Sequence, residues 1–184
     1  MINECQYRVR LLGQPKNLKV LIDRIKSKDS KTFVDLDYSM LFDSYEPSFE
    51  WEHNTNVFSE IEYFDEDDFC EISGISEQTP LDGLWEKISF DYSLKIELEF
   101  TIASLNVAGT LSWDCGVLNH NLMSTYWQFI YENDIDLFWE KISKSSTYHK
   151  ISEIIEILGY TYDSLSDTEK EKVNEIHKRQ YLGL

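Results

Sequence analysis

The chain has 184 residues and a mass of 21.8 kDa, with 34 Asp and Glu against 17 Lys and Arg, a formal net charge of −17. With 42% hydrophobic and 14% aromatic residues it holds the material of a packed core, which excludes a wholly disordered acidic chain. So negative a composition also argues against direct binding to nucleic acid or to an anionic membrane, both of which select basic surfaces.

In chain order, the first element is a strand, Glu4–Leu12, whose Cys5, Tyr7, Val9 and Leu11 alternate against Gln6, Arg8 and Arg10. Gly13 ends it. A helix follows from Pro15 to Lys28, with Leu18, Leu21, Ile22 and Ile25 as its apolar stripe. Lys31–Tyr38 has β character. Residues 39–78 show weak periodicity, and within them 57–64 reads as a short strand or helix. Thr79 and Pro80 predict the start of a helix with the stripe Leu81, Leu84, Trp85 and Ile88. Leu94–Ile102 alternates most clearly, with Leu94, Ile96, Leu98, Phe100 and Ile102 facing one way and Lys95, Glu97, Glu99 and Thr101 the other. A partner strand runs to Trp113, where Gly109 predicts a bulge or a close backbone approach. Asp114-Cys115-Gly116 reads as a turn into a strand over Val117–Met123. The last third is helical. Asn133 is expected to cap the stripe Ile135, Phe138, Trp139 and Ile142. A second helix runs from Thr147 to Gly159, and a Ser166/Glu169 capping box opens a third whose face, Val173 and Ile176, is thin enough to predict a peripheral helix. Leu84-Trp-Glu-Lys-Ile-Ser89 reappears as Phe138-Trp-Glu-Lys-Ile-Ser143, read as shared helix chemistry and not as a repeat unit.

The expected architecture is α+β: a ferredoxin-like antiparallel sheet with helices on one face over residues 1–130, an acidic insert over 32–79, and a helical extension over 131–184 packed on it. Cys5, Cys70 and Cys115 form no metal or CxxC spacing, and reduced thiols are the default. The first residues lack a secretory signal pattern. The longest run without Asp, Glu, Lys or Arg, 115–131, carries Asn119, His120, Asn121 and Gln128 and does not read as a membrane span. A cytoplasmic location is expected.

The charge is unevenly placed. Residues 1–31 balance at +5 and 141–184 at zero, which leaves −22 on 32–140, where Lys87 and Lys95 are the sole bases among 24 acids. Aromatic residues are interleaved with those acids, which predicts either a solvated acidic face over an ordinary core or an interaction surface. The residues expected to form that surface are Asp35, Asp37, Asp43, Glu46, Glu50, Trp51, Glu52, Glu60, Glu62, Asp65, Glu66, Asp67, Asp68 and Glu71.

The run Leu94 to Gly116, with the step Val107-Ala108-Gly109, and the opening Cys5-Gln-Tyr-Arg-Val-Arg-Leu-Leu-Gly13 resemble the YubB-type ferredoxin-like domain of plasmid- and phage-borne proteins, over about residues 4–28 and 80–123. The resemblance implies a mobile-element setting and supplies no catalytic residues.

No phosphate-binding, zinc-hydrolase or nucleophile-elbow motif is present. His53, His120, His149 and His177 are scattered. Asp65-Glu-Asp-Asp68 lacks the order of a calcium loop. No catalytic residue, metal ligand or cofactor is therefore assigned. The expected function is non-enzymatic: an acidic, DNA-mimic-like inhibitor that occupies a basic partner such as a host nuclease or another nucleic-acid-binding defence factor, and that forms a homodimer in one variant of the reading. The −22 of the middle stretch is of the order of the roughly 20 charges on one turn of duplex DNA. The alternative is a metal-dependent or small-ligand protein that uses the clustered carboxylates or His120.

Overall fold

The computed structural model describes residues 3–26, 34–35, 41–42, 56–63, 68–144, 155–156 and 158–182. The chain divides into two compact units, Met1–Ser124 and Thr125–Leu184.

The first unit is α+β. Its strands are β1 (Glu4–Leu12), β2 (Val34–Asp35), β3 (Asn56–Glu62), β4 (Phe69–Glu77), β5 (Lys95–Ile102), β6 (Val107–Asp114) and β7 (Val117–Ser124), and its helices are α1 (Pro15–Lys26) and α2 (Asp82–Asp91). The strands form one sheet in the order β2-β3-β4-β1-β5-β6-β7, with every neighbouring pair antiparallel. Alternation decides which side is dry. Cys5, Tyr7, Val9 and Leu11 of β1, Ile72 of β4, and Ile96, Leu98, Phe100 and Ile102 of β5 are buried together with Leu18, Leu21 and Ile22 of α1 and Leu84, Trp85 and Ile88 of α2. Each such aliphatic side chain contributes on the order of 1.5–3 kcal/mol by leaving water. Helices thus cover one face, and the alternate residues of the same strands face out.

The stretch read as an acidic insert supplies β2, β3 and β4, and β4 lies directly beside the central β1. Residues 56–62 are a strand, which resolves the two readings of that segment. The helix expected from Thr79 begins later, after Leu81 at φ 55, with no side-chain cap. Gln78 at φ 68 and a Ser76 hydroxyl donating to the Thr79 carbonyl at 2.5 Å hold residues 78–80 in a turn. A Cβ on Gly109 would lie 2.8 Å from the Leu122 carbonyl oxygen and 2.9 Å from Met123 Sδ and Phe100 Cε1, so the glycine serves a close approach between β6 and its neighbours. Cys115 (φ 47) and Gly116 (φ 83) make the two-residue turn between β6 and β7. Behind it, the buried Ser89 hydroxyl donates to the Leu94 carbonyl at 2.7 Å and accepts from the Gly116 amide at 2.9 Å.

The second unit holds α3 (Tyr126–Asn133), α4 (Ile135–Lys144) and α5 (Asp167–Leu182), with a short 3₁₀ turn at Tyr162–Ser164. Its core comprises Tyr126, Ile130, Phe138, Trp139, Ile142, Leu158, Leu165, Val173 and Ile176. Asn133 does not cap α4: its side-chain Nδ2 donates to the Phe129 carbonyl of α3 at 2.9 Å, and the Asp134 carboxylate accepts the Leu137 backbone amide at 2.9 Å. The start of the helix expected from Thr147 lies outside the described residues, and Gly159 ends it at φ 69. The Ser166/Glu169 box forms as expected, with the Glu169 carboxylate on the Ser166 amide at 2.7 Å and the Ser166 hydroxyl on the Glu169 amide at 3.3 Å. The Tyr131 hydroxyl donates to Glu169 as well. The Ser166 hydroxyl, donating to the Glu169 carboxylate at 2.6 Å, and then the Tyr131 hydroxyl hold that carboxyl below its ordinary range, while burial and then Glu169 push the Tyr131 phenol up. Val173 is fully buried and Ile176 nearly so; α5 belongs to this core and is not peripheral to it.

Candidate functional site

The uncovered face of the sheet is where described acidic residues gather, and strand register sets the pattern. One row across the strands reads Glu62, Glu71, Arg10, Glu97, Ser112, His120, from β3, β4, β1, β5, β6 and β7. The next reads Glu60, Ser73, Arg8, Glu99, Thr110, Leu122. Arg10, on the central strand, is thus flanked by carboxylates on both sides, Glu71 and Glu97, while Arg8 lies between Ser73 and Glu99. The guanidiniums of both reach Glu71 at 3.3 Å, and Lys95 reaches Glu97 at 2.6 Å. These pairs are half-exposed, so each is worth at most about 1 kcal/mol. Glu62 stands directly opposite Glu71, a like-charge pair that costs stability unless a cation lies alongside, which is where Arg10 sits. Among the described residues no cation pairs with Glu60, Glu62 or Glu99, and the side chains of Glu60, Glu62 and Glu99 are exposed. Among the residues whose side chains are described, Glu4, Glu77 and Asp114 share that face, so that eight carboxylates stand there against three cations, Arg8, Arg10 and Lys95.

Of the fourteen residues expected to form the interaction surface, Asp37, Asp43, Glu46, Glu50, Trp51, Glu52, Asp65, Glu66 and Asp67 lie outside the described residues. Asp35 is in β2. Glu60, Glu62 and Glu71 come together on the open face. Asp68 is exposed ahead of β4, with its carbonyl accepting the Gly13 amide at 2.9 Å. Sequence reasoning missed Glu97 and Glu99 as neighbours of Glu71, and it missed the two arginines between them. The signal was there in the alternation of β1 and β5; what the sequence did not carry was that these strands pair.

No catalytic arrangement is assembled among the described residues. His120 is exposed, with Nε2 3.1 Å from the Thr110 hydroxyl. Cys115 occupies the hairpin turn, and its hydrogen bond to Asp114 raises its pKa, which disfavours the thiolate a nucleophile needs. Burial pushes the Cys5 thiol up to about 11. Among the described residues no group of His, Cys, Asp and Glu could hold a metal ion. A cleft of about 420 Å³ lies by α1, lined by residues that include Asn17, Val20, Arg24, Asp91 and Tyr92. Two of its polar side chains are bonded internally: Arg24 donates to the Leu41 carbonyl at 2.8 Å and to the Tyr92 hydroxyl at 3.1 Å, and Tyr92 donates to the same carbonyl. No described helix is long and apolar enough to cross a membrane. No protein-family model, curated protein or solved structure matches this chain.

Proposed function

We propose that this chain is a non-catalytic binding module that meets a basic, nucleic-acid-binding protein through the open face of its sheet and competes there with the nucleic acid. The observation that carries the reading is the excess of carboxylates over cations on that face, with Glu60, Glu62 and Glu99 exposed around an arginine pair. A rigid sheet holds carboxylates in rows spaced by the strand separation of roughly 4.8 Å, so a partner's Lys and Arg meet a preorganised field and not a collapsing tail. The arginines give the face a mixed pattern, which favours a partner with an acidic group among its bases over a uniform polycation. Two further elements of the reading rest on topology and likeness. The order β3-β4-β1-β5 with α1 and α2 between strands supports a ferredoxin-like core, to which the β6–β7 hairpin would be an addition at one edge. The likeness of residues 94–116 to the YubB-type domain supports a mobile-element setting, in which a host nuclease or defence factor is the target.

The test is competition. The chain is titrated into complexes of labelled duplex DNA with a panel of basic DNA-binding proteins, and DNA release is read by fluorescence anisotropy. The variant carrying Glu60→Gln, Glu62→Gln, Glu97→Gln and Glu99→Gln is expected to lose at least about tenfold in potency with an unchanged circular-dichroism spectrum, and raising salt weakens the wild type in the same direction. Equal potency of wild type and variant removes the reading.

A further inference from the structure

The strand β7 differs from every other long strand in the sheet. It is the last in the strand order, and among the described residues no strand lies beyond it. Both of its faces are open: Val117 is 63% exposed, Leu118 50%, Leu122 57% and Met123 55%. Leu122 lies opposite Thr110, on the side of the acidic rows, and Met123 lies opposite Gly109, on the helix side, so apolar side chains project both ways. Natural edge strands of this length are ordinarily blunted by lysine, proline or an inward charge. This one has none of these; the single edge device it carries is a bulge, the register shift between Ser112 and Trp113 that leaves Asn119 unpaired with β6.

We propose that β7 is a self-association edge, at which two copies of this chain pair antiparallel through Val117–Ser124. Two observations select a second copy as the occupant. The first is charge. Residues 115–131 contain no Asp, Glu, Lys or Arg in a chain of net charge −17, so this edge is where two such chains approach without setting carboxylate against carboxylate. The second is symmetry. A two-fold contact requires a surface complementary to itself, and antiparallel pairing of identical strands sets each residue against one at the mirrored position. Val117-Leu-Asn-His-Asn-Leu-Met123 has the same order of chemistry in both directions about His120: two apolar residues, Asn, His, Asn, two apolar residues. Reversed on itself, the segment presents amide to amide and aliphatic to aliphatic, and the ladder satisfies backbone groups that otherwise face water.

The contact is independent of the partner-binding reading and has the opposite salt dependence. Screening weakens attraction between acidic face and basic partner, but it relieves repulsion between two copies of −17, so self-association tightens as salt rises. Sedimentation equilibrium of the full chain from about 5 to 200 μM is expected to show twice the monomer mass at the upper end, with Leu122→Glu monomeric and Val20→Glu, the same change on an exposed position of α1, still dimeric. A wild type that stays monomeric overturns the proposal, as does a Leu122→Glu variant that dimerises like the wild type, or a Val20→Glu variant that loses the dimer equally. Hydrogen exchange on the wild type needs no substitution: amides of residues 117–124 are expected to exchange several-fold more slowly at about 200 μM than at about 5 μM, and equal rates reject the edge.

Discussion

The helices α2 and α4 carry nearly the same six residues, Leu84-Trp-Glu-Lys-Ile-Ser89 and Phe138-Trp-Glu-Lys-Ile-Ser143, in two different cores. Their apolar positions behave alike. Leu84, Trp85 and Ile88 are buried in the first unit, and Phe138, Trp139 and Ile142 in the second, because i, i+1 and i+4 share a helix face in both settings. Their last residues do not. Ser89 is fully buried and bonded at both ends to non-helical backbone, whereas Ser143 is exposed and donates to the Glu140 carbonyl within its own helix at 2.8 Å. A local pattern specifies which side of a helix is dry. What a polar residue does is decided by the elements that surround it.

The largest effects test the shared stripe. Ile88→Ala and Ile142→Ala each remove a fully buried branched side chain and are expected to cost about 2–5 kcal/mol in urea unfolding. A cost below about 1 kcal/mol at either position would show that the stripe is not core in that unit. The contrast itself is sharpened at the serines. Ser89→Ala leaves the Gly116 amide and the Leu94 carbonyl without that hydroxyl and is expected to cost about 1–3 kcal/mol. Ser143→Ala stays within about 0.5 kcal/mol. Equal costs would erase the distinction. The smallest effect lies on the exposed side of α4, where the hydrogen bond from Lys144 at 2.5 Å, followed by its charge, holds the Glu140 carboxyl below its ordinary value. A lowered pKa means that this contact favours the fold above the unfolded-state value and fades as pH falls through the folded one. Carboxyl NMR titration is expected to find Glu140 low in the wild type and back in the usual range in Lys144→Met.

Strands with clean alternation were legible from sequence because burial on one side leaves a period of two. β1 and β5 are the clear cases, and the β6–β7 hairpin was readable from its turn residues. β4 was not legible. Its dry side offers Cys70, Ile72, Gly74 and Ser76, and its wet side carries Phe69 and Ile75, so apolarity points partly the wrong way. The central neighbour of β1 therefore read as part of an insert. The helix α3 was hidden for a related reason: Tyr126-Trp-Gln-Phe-Ile-Tyr is rich in residues that favour strands, and tertiary packing of Tyr126 and Ile130 overrides that preference. The acidic excess of the middle stretch was legible as composition. Its geometry was not, because the rows joining Glu62, Glu71, Arg10 and Glu97 exist through pairing between strands far apart in the chain.

The position of β1 has a consequence for how the protein is made. The strand β1 is flanked on both sides by strands that come much later in the chain, Phe69–Glu77 and Lys95–Ile102. About 90 residues separate Leu12 from Ile102, which at ordinary translation rates is roughly 5–20 s. Through that interval Cys5, Tyr7, Val9 and Leu11 lack their second flanking strand, so the centre of the sheet closes late in synthesis.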